Sequence, residues 1–198
     1  TLDFNVIIKF GDYPQMLSDL DNGILDLIIT PQKGDYKGLI YTPFFKERIV
    51  VIGGAKTSTE ELDPLLKSKD MNGIQDWLKR QTWYGTTGDM EHLRRFWHIN
   101  FGKRPDFKPN YIVPNMSSII RCLSGGEGIA VIPDFLSKKE LDSGNVKQIW
   151  DGYNVIENTL YFGTRKKTMY LEEVMQIQEI FLKEMVNEHH DKQAVIFN

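Results

Sequence analysis

The chain of 198 residues has one cysteine, Cys122. That excludes an internal disulfide and any metal site built on several thiolates, and it fits a reducing cytoplasm, the location expected here. No stretch approaches the roughly 18 consecutive apolar residues of a membrane-spanning helix. No membrane partner is therefore expected, and no signal peptide is legible. Basic charge is not in excess: 24 Lys and Arg stand against 27 Asp and Glu, a net charge of −3. A nucleic-acid surface needs clustered Lys and Arg, so none is expected in this piece. The four histidines make no metal set. His92 and His98 are six apart, which does not place them on one helix face, and His189 and His190 lie in a polar tail. Neither a His-Glu-x-x-His motif nor a Gly-x-Ser-x-Gly elbow occurs. No enzyme activity, cofactor or metal is expected.

What is present is an ordinary globular composition, 41% hydrophobic and 12% aromatic, long enough for one domain or two small lobes. Alternation predicts a strand over residues 2–10. Gly11 to Pro14 then turn into a short helix with Met16, Leu17 and Leu20 on its apolar side, stopped at Asn22-Gly23. Residues 26–29 read as a buried strand. Residues 39–52 carry a long strand-like pattern interrupted by Pro43. Thr57 with Glu60 fits a helix-starting capping box. Further helices are predicted over 71–80 and over 169–186, with another that Thr86, Thr87 and Gly88 lead into and that ends near Asn100, and further strands at 83–84, 110–113, 146–150 and 158–165. Strands alternating with helices imply an α/β protein with mainly parallel sheets.

The richest stretch is residues 115–144. Asn115 suits a helix N-cap, Ile119, Ile120 and Leu123 give that helix an apolar face, and Gly125-Gly126 stop it. Cys122 falls within this apolar helix pattern and reads as a small packed side chain. The run Ile129-Ala-Val-Ile132, closed by Pro133, is continuous, as in a strand covered on both faces. The glycines at 125, 126 and 128 precede a strand, whereas a dinucleotide loop follows one, so they read as turn residues.

This order resembles the effector-binding domain of LysR-type transcription regulators. The Ser-Gly-Gly-Glu-Gly-Ile-Ala-Val-Ile-Pro run at 124–133, the helix after it and the Leu-Asp-Ser-Gly ending at 141–144 carry the likeness. A second block, Leu-Asp-Asn-Gly-Ile-Leu-Asp-Leu-Ile-Ile at 20–29, matches in order and spacing, and the resemblance runs from about residue 4 to about 181. It implies a two-lobed fold like that of type 2 periplasmic binding proteins, with lobe I at 1–46 and 153–198 and lobe II at 47–152. Family members place a further strand and helix before residues 2–10. That unit is absent here, and a chain opening at Thr1 inside an apparent strand reads as a fragment.

The resemblance also implies function. A small-molecule effector would bind between the lobes and control DNA binding by a winged helix-turn-helix outside this chain, in a homodimer or homotetramer. A solute-binding protein of the same fold, serving a transporter, is the alternative. The loops that match the family's effector site hold Gly11 and Asp12; Thr30, Pro31 and Gln32; Thr86 and Thr87; and Asn115, Met116 and Ser117. Two of these groups, Thr86-Thr87-Gly88-Asp89 and Asn115 to Ser118, read as helix starts, where unpaired backbone N–H groups and the helix dipole favour anions. Asp12 and Pro31 depart from the family. Asp12 would repel an acid, which leaves a basic or neutral effector open.

Overall fold

The structure, a computed structural model, describes residues 2–86 and 90–188. In chain order its elements are α1 (Tyr13–Asp21), β1 (Leu27–Thr30), β2 (Leu39–Gly54), α2 (Leu62–Ser68), α3 (Met71–Lys79), β3 (Tyr84–Thr86), α4 (Glu91–Phe101) and β4 (Tyr111–Val113). There follow α5 (Met116–Leu123), β5 (Ile129–Pro133), a 3-10 turn (Asp134–Ser137), α6 (Lys138–Asp142), β6 (Val146–Trp150), β7 (Ile156–Arg165) and α7 (Leu171–Glu188). These elements form two units. Unit 1 is Thr1–Lys46 with Asn158–Asn198, and unit 2 is Glu47–Glu157.

In unit 1 the strand order is β1–β7–β2, with Leu27 opposite Thr164 and Thr30 opposite Tyr161. Leu17, Leu20, Ile28 and Leu39 form its core, bordered by Tyr13, Met16, Leu25 and Tyr41. Phe44 stacks on Phe162 at 3.8 Å, and Phe162 meets Phe181 of α7 edge-on. The turn from α1 to β1 is clasped by Arg165. Its guanidinium donates to the carbonyls of Leu20 and Leu25 and to the Asp26 carboxylate, the first and last being 2.8 Å contacts.

The strand expected over residues 2–10 does not form. Residues 2–12 join no ladder, and Ile7, Ile8 and Phe10 are 82%, 72% and 96% exposed. Alternation tells which side chains would share a face, but a strand exists only where a neighbour accepts its backbone hydrogen bonds.

The hydroxyls of Tyr13 and Tyr41 are buried with no hydrogen-bond partner among the described residues. Burial first, and the Tyr41 phenol second, push the Tyr13 phenol from 10.0 up to about 12. Between those values the folded chain keeps a proton that the unfolded chain has lost. Stability present below pH 10 is therefore lost as pH rises toward 12. Tyr13→Phe gives up no hydrogen bond and removes an unpaired polar atom. Urea titrations should show it unchanged or up to about 1 kcal/mol more stable at neutral pH, and less sensitive than the parent to a shift from pH 9 to pH 11.

In unit 2 the second half of β2 is central, with β5 on one side (Ile49 opposite Pro133, Gly53 opposite Ile129) and β6 on the other. A parallel bridge from Ile129 to Trp83 extends the sheet toward the parallel pair β3 and β4. The continuous apolar runs are explained by burial on both faces. Ile49, Val51, Ile129 and Val131 point into one cluster with Trp77, Leu78, Phe96 and Trp97, while Val50, Ile52, Ala130 and Ile132 point into another with Ile119, Ile120 and Leu123.

Three expectations are corrected. First, the sheets are mixed rather than mainly parallel. The ladders β1–β7, β2–β5 and β2–β6 are antiparallel, and β3–β4 is parallel. Strand–helix alternation reports connectivity. Direction depends on where each strand returns, and β2 and β7 carry residues of both units instead of closing a crossover within one. Pro43 does not interrupt β2.

Second, Thr57 does not open a capping box. Its buried hydroxyl donates to the Gly128 carbonyl and accepts from the Gly128 N–H, each at 3.1 Å, and α2 starts later, at Leu62. Close backbone approach nearby explains two glycines. A Cβ on Gly54 would lie 2.2 Å from the Gly126 carbonyl oxygen, and Gly128 sits at φ +106° with Tyr84 and the Thr82 carbonyl where a side chain would go. Third, Cys122 is exposed, off the arc that Ile119, Ile120 and Leu123 bury.

Candidate functional site

In unit 2 the parallel register places Tyr84 opposite Tyr111 and Thr86 opposite Val113. Both strands therefore end side by side. Pro114 and Asn115 follow β4 directly into α5, so Thr86, Asn115, Met116 and Ser117 gather at the carboxyl ends of two parallel strands. In open α/β sheets that is where loops converge on ligands. Asn115 is extended (φ −157°, ψ 169°), and its side-chain oxygen accepts from the Ser118 N–H at 2.9 Å and the Ser118 hydroxyl at 3.1 Å. It is a true N-cap, as its position in the sequence suggested. The cap serves Ser118 and leaves the N–H groups of Met116 and Ser117 without a helical acceptor. No acidic residue lies in the first turn of α5, and the exposed Ser117 hydroxyl has no protein partner among the described residues. Thr86 is half-buried. Thr87 lies outside the described residues, as do Gly88, Asp89, His189 and His190.

Beneath this group Tyr84 stacks on Tyr111, ring centroids 5.1 Å apart, and Tyr84, Val113 and Met116 pack on the cluster around Ile119. Burial, then Cys122, then Tyr111 raise the Tyr84 phenol above its ordinary value, so it stays a neutral hydrogen-bonding group. The sequence reading passed over this pair. The signal was available: two short apolar segments with tyrosine at the same register position.

In unit 1, Asp12 caps α1 by backbone position only, since its side chain makes no cap bond. Gly11 and Asp12 are exposed, as are Pro31 and Gln32. A helix joined by a short turn to the next strand runs opposite to it, so the start of α1 and the end of β1 share one end of this unit. Thr30 is different. It is buried, 1% exposed, and its hydroxyl bonds the backbone N–H and carbonyl of Gln32 at 3.1 and 3.2 Å. Its role here is to shape the turn that presents Pro31 and Gln32. Lys33, one residue on, lies over the Tyr161 ring at 4.6 Å.

No group of three or more His, Cys, Asp and Glu that could hold a metal occurs among the described residues. No described helix is long and apolar enough to cross a membrane. The polar groups at hand are hydroxyls, amides, backbone N–H donors and one carboxylate. They suit reversible binding of a small polar molecule, and nothing in the set pairs a nucleophile with a base.

Comparison with known proteins gives a consistent outcome. The chain is 23% identical over 172 residues to the HTH-type transcriptional regulator AbaB of Streptomyces antibioticus, 87% of this chain and 56% of AbaB. Its fold is like that of full-length LysG from Corynebacterium glutamicum, solved with bound effector Arg, at a TM-score of 0.61 and 16% identity, covering 90% of this chain and 57% of LysG. The regulatory domain of a HypT mutant from Salmonella typhimurium aligns at a TM-score of 0.65 and 13% identity, over 92% of this chain and 87% of that domain. The chain thus spans just over half the length of AbaB and of LysG. These folds are the type 2 periplasmic-binding-protein-like fold expected from the sequence. The model of the LysR substrate binding domain matches residues 3–176, and the chain belongs to that family.

Proposed function

We propose that this chain is the effector-binding, regulatory part of a LysR-type transcription regulator. A small metabolite, preferring one conformation, would shift the population of states and so control DNA binding by a winged helix-turn-helix outside this sequence. In this proposal the regulator is cytoplasmic and non-catalytic, works as a homodimer or homotetramer, and needs no cofactor.

The observation that supports the reading best is the group of free donors at the ends of β3 and β4. These are the Met116 and Ser117 N–H groups and the Ser117 hydroxyl, in a helix start whose cap uses none of them, with Thr86 beside them at the end of β3. Gly11, Asp12, Pro31 and Gln32 are proposed as further effector contacts, with Thr30 and Met116 placing their neighbours and Thr87 completing the set. The exposed Asp12 carboxylate disfavours an acid and favours a basic or zwitterionic effector. Arginine is therefore the first compound to test, since LysG has it as a bound effector.

A thermal-shift series with arginine, other amino acids, organic acids and sugars reads binding directly, because a ligand of the folded state raises the melting temperature. For any compound that binds, Thr86→Ala combined with Ser117→Ala should weaken affinity about tenfold, at about 0.5–1.5 kcal/mol for each lost hydrogen bond. The unliganded melting temperature should stay within a degree or two. Unchanged affinity by calorimetry would place the effector away from these strand ends.

A further inference from the structure

Unit 2 has a second concave site that the effector reading does not use. An open-mouthed hollow of about 260 Å³ is lined by Met71, Asn72 and Gln75 of α3, by Asn100 and Phe101 at the end of α4, and by Lys103. It lies past the C-terminal end of α4, whereas Thr86 precedes the N-terminal end. Eleven residues at 1.5 Å each put roughly 16 Å of helix between the two.

Two amides give this hollow its character. Gln75 is 7% exposed as a residue, and its side chain makes no hydrogen bond among the described residues. Its amide is not one of the buried polar groups left without a partner, so it keeps access to solvent in the hollow that it lines and is open to a ligand there. Asn100 is equally buried, and most of its capacity is spent. It donates to the Phe96 carbonyl and accepts from the N–H groups of Tyr153 and Asn154, which leaves one N–H over.

The charge of the site is also set. Lys79 pairs with Asp106 at 2.6 Å and is the main cause holding that carboxyl below its usual range. Lys103 makes no ion pair within 4 Å among the described residues, although its charge also helps to lower the Asp106 carboxyl. At the start of α3 the Asp70 carboxylate caps Gly73, and the N–H groups of Met71 and Asn72 have no helical acceptor. Three carbonyls in the last turns of α4 are already taken: Phe96 by Asn100, His98 by Gly102 and Ile99 by Asn154. The side chains of the hollow offer amide donors and one ammonium, over the apolar side chains of Met71 and Phe101.

We infer that this hollow binds a small carboxylate, with its oxygens on Gln75, Asn100 and Lys103 and its carbon chain against Met71 and Phe101. Such a ligand would act independently of the proposed effector.

The test uses succinate as the probe, with 1,4-butanediol as its uncharged match, and follows the ¹⁵N side-chain amide signals of Gln75 and Asn100 by NMR. Both signals should move saturably with succinate and stay in place with the diol. Gln75→Glu, nearly isosteric, sets a carboxylate against the ligand and should abolish the response. Lys103→Ala should weaken it about tenfold, as loss of a charge-assisted contact does. Thr86→Ala with Ser117→Ala should leave it intact. The inference is overturned if the amide signals do not saturate, if Gln75→Glu binds succinate like the parent, or if the double variant removes the response.

Discussion

Trp83→Ala should destabilise the chain by about 4–5 kcal/mol, the largest single-residue effect expected here. Trp83 is 1% exposed and stands where β5 meets the β3–β4 pair through its bridge to Ile129. Its ring packs edge-on against Trp97 at 6.5 Å and at a tilt against Phe107 at 5.5 Å. Truncation leaves a cavity among rings too rigid to refill it, and a large aromatic lost from a core costs about 3–5 kcal/mol. It also takes away the indole N–H that reaches the Leu78 carbonyl at 2.8 Å, leaving that carbonyl only the longer bond from the Gln81 N–H at 3.2 Å. Trp83→Phe separates the two contributions: it keeps most of the packing and should cost only about 1–2 kcal/mol. Urea unfolding followed by far-ultraviolet circular dichroism measures both. A Trp83→Ala cost under about 1.5 kcal/mol would mean that the aromatic cluster does not hold unit 2 together.

Arg165→Met should lower stability by about 2–3 kcal/mol, acting on unit 1. Methionine keeps the stem and removes the guanidinium. The Leu25 carbonyl then loses its donor, the Leu20 carbonyl keeps only the Gly23 N–H at 3.2 Å, and Asp26 loses its cation. The ion pair is the smaller part, because the Asp26 side chain is 43% exposed and water screens it. The two carbonyls carry most of the effect, since they sit in the turn that ends α1 and the Arg165 side chain covering them is only 18% exposed. Arg165→Lys can satisfy one carbonyl at most, so it should recover less than half of the loss. Hydrogen exchange of the amides at 22–30 should accelerate in both variants. Full recovery by lysine would show that charge, and not the forked donor geometry, is what the turn needs.

The sequence announces local structure well and distant claims poorly. The Asn115 cap was legible because the cap, the acceptor and the donor lie within four residues. The strand at β5 was legible because four apolar residues in a row have no better place than a sheet covered on both sides. Thr57 was misread because its hydroxyl is claimed by Gly128, 71 residues away, a contact that no local pattern encodes. Residues 2–10 were misread because alternation implies a partner strand without supplying one. Strand direction was misread because β2 and β7 are long enough to belong to both units.

In the candidate site, Ser117 and Asp12 are as open as their positions suggested, while Thr30 is turned inward by a bond to Gln32, two residues on. Gln75 went unnoticed because Ile74, Trp77 and Leu78 dominate its helix. A glutamine between residues of a buried arc was the available sign of a polar opening beside the core there.

Because β7 lies between β1 and β2, unit 1 is assembled from two separate segments of this chain, whereas Glu47–Glu157 is continuous. On the ribosome this sets an order of events. Unit 2 has all of its strands once β6 has emerged, and it can close while the chain is still growing. The early segment that carries α1 and β1 can gather Leu17, Leu20, Ile28 and Leu39, but the ladder edge of β1 must wait, unpaired, until β7 arrives to fill the gap. Slowing translation just before residue 156 would lengthen that wait without changing a single native contact. Chaperone capture during synthesis should therefore centre on residues 13–46.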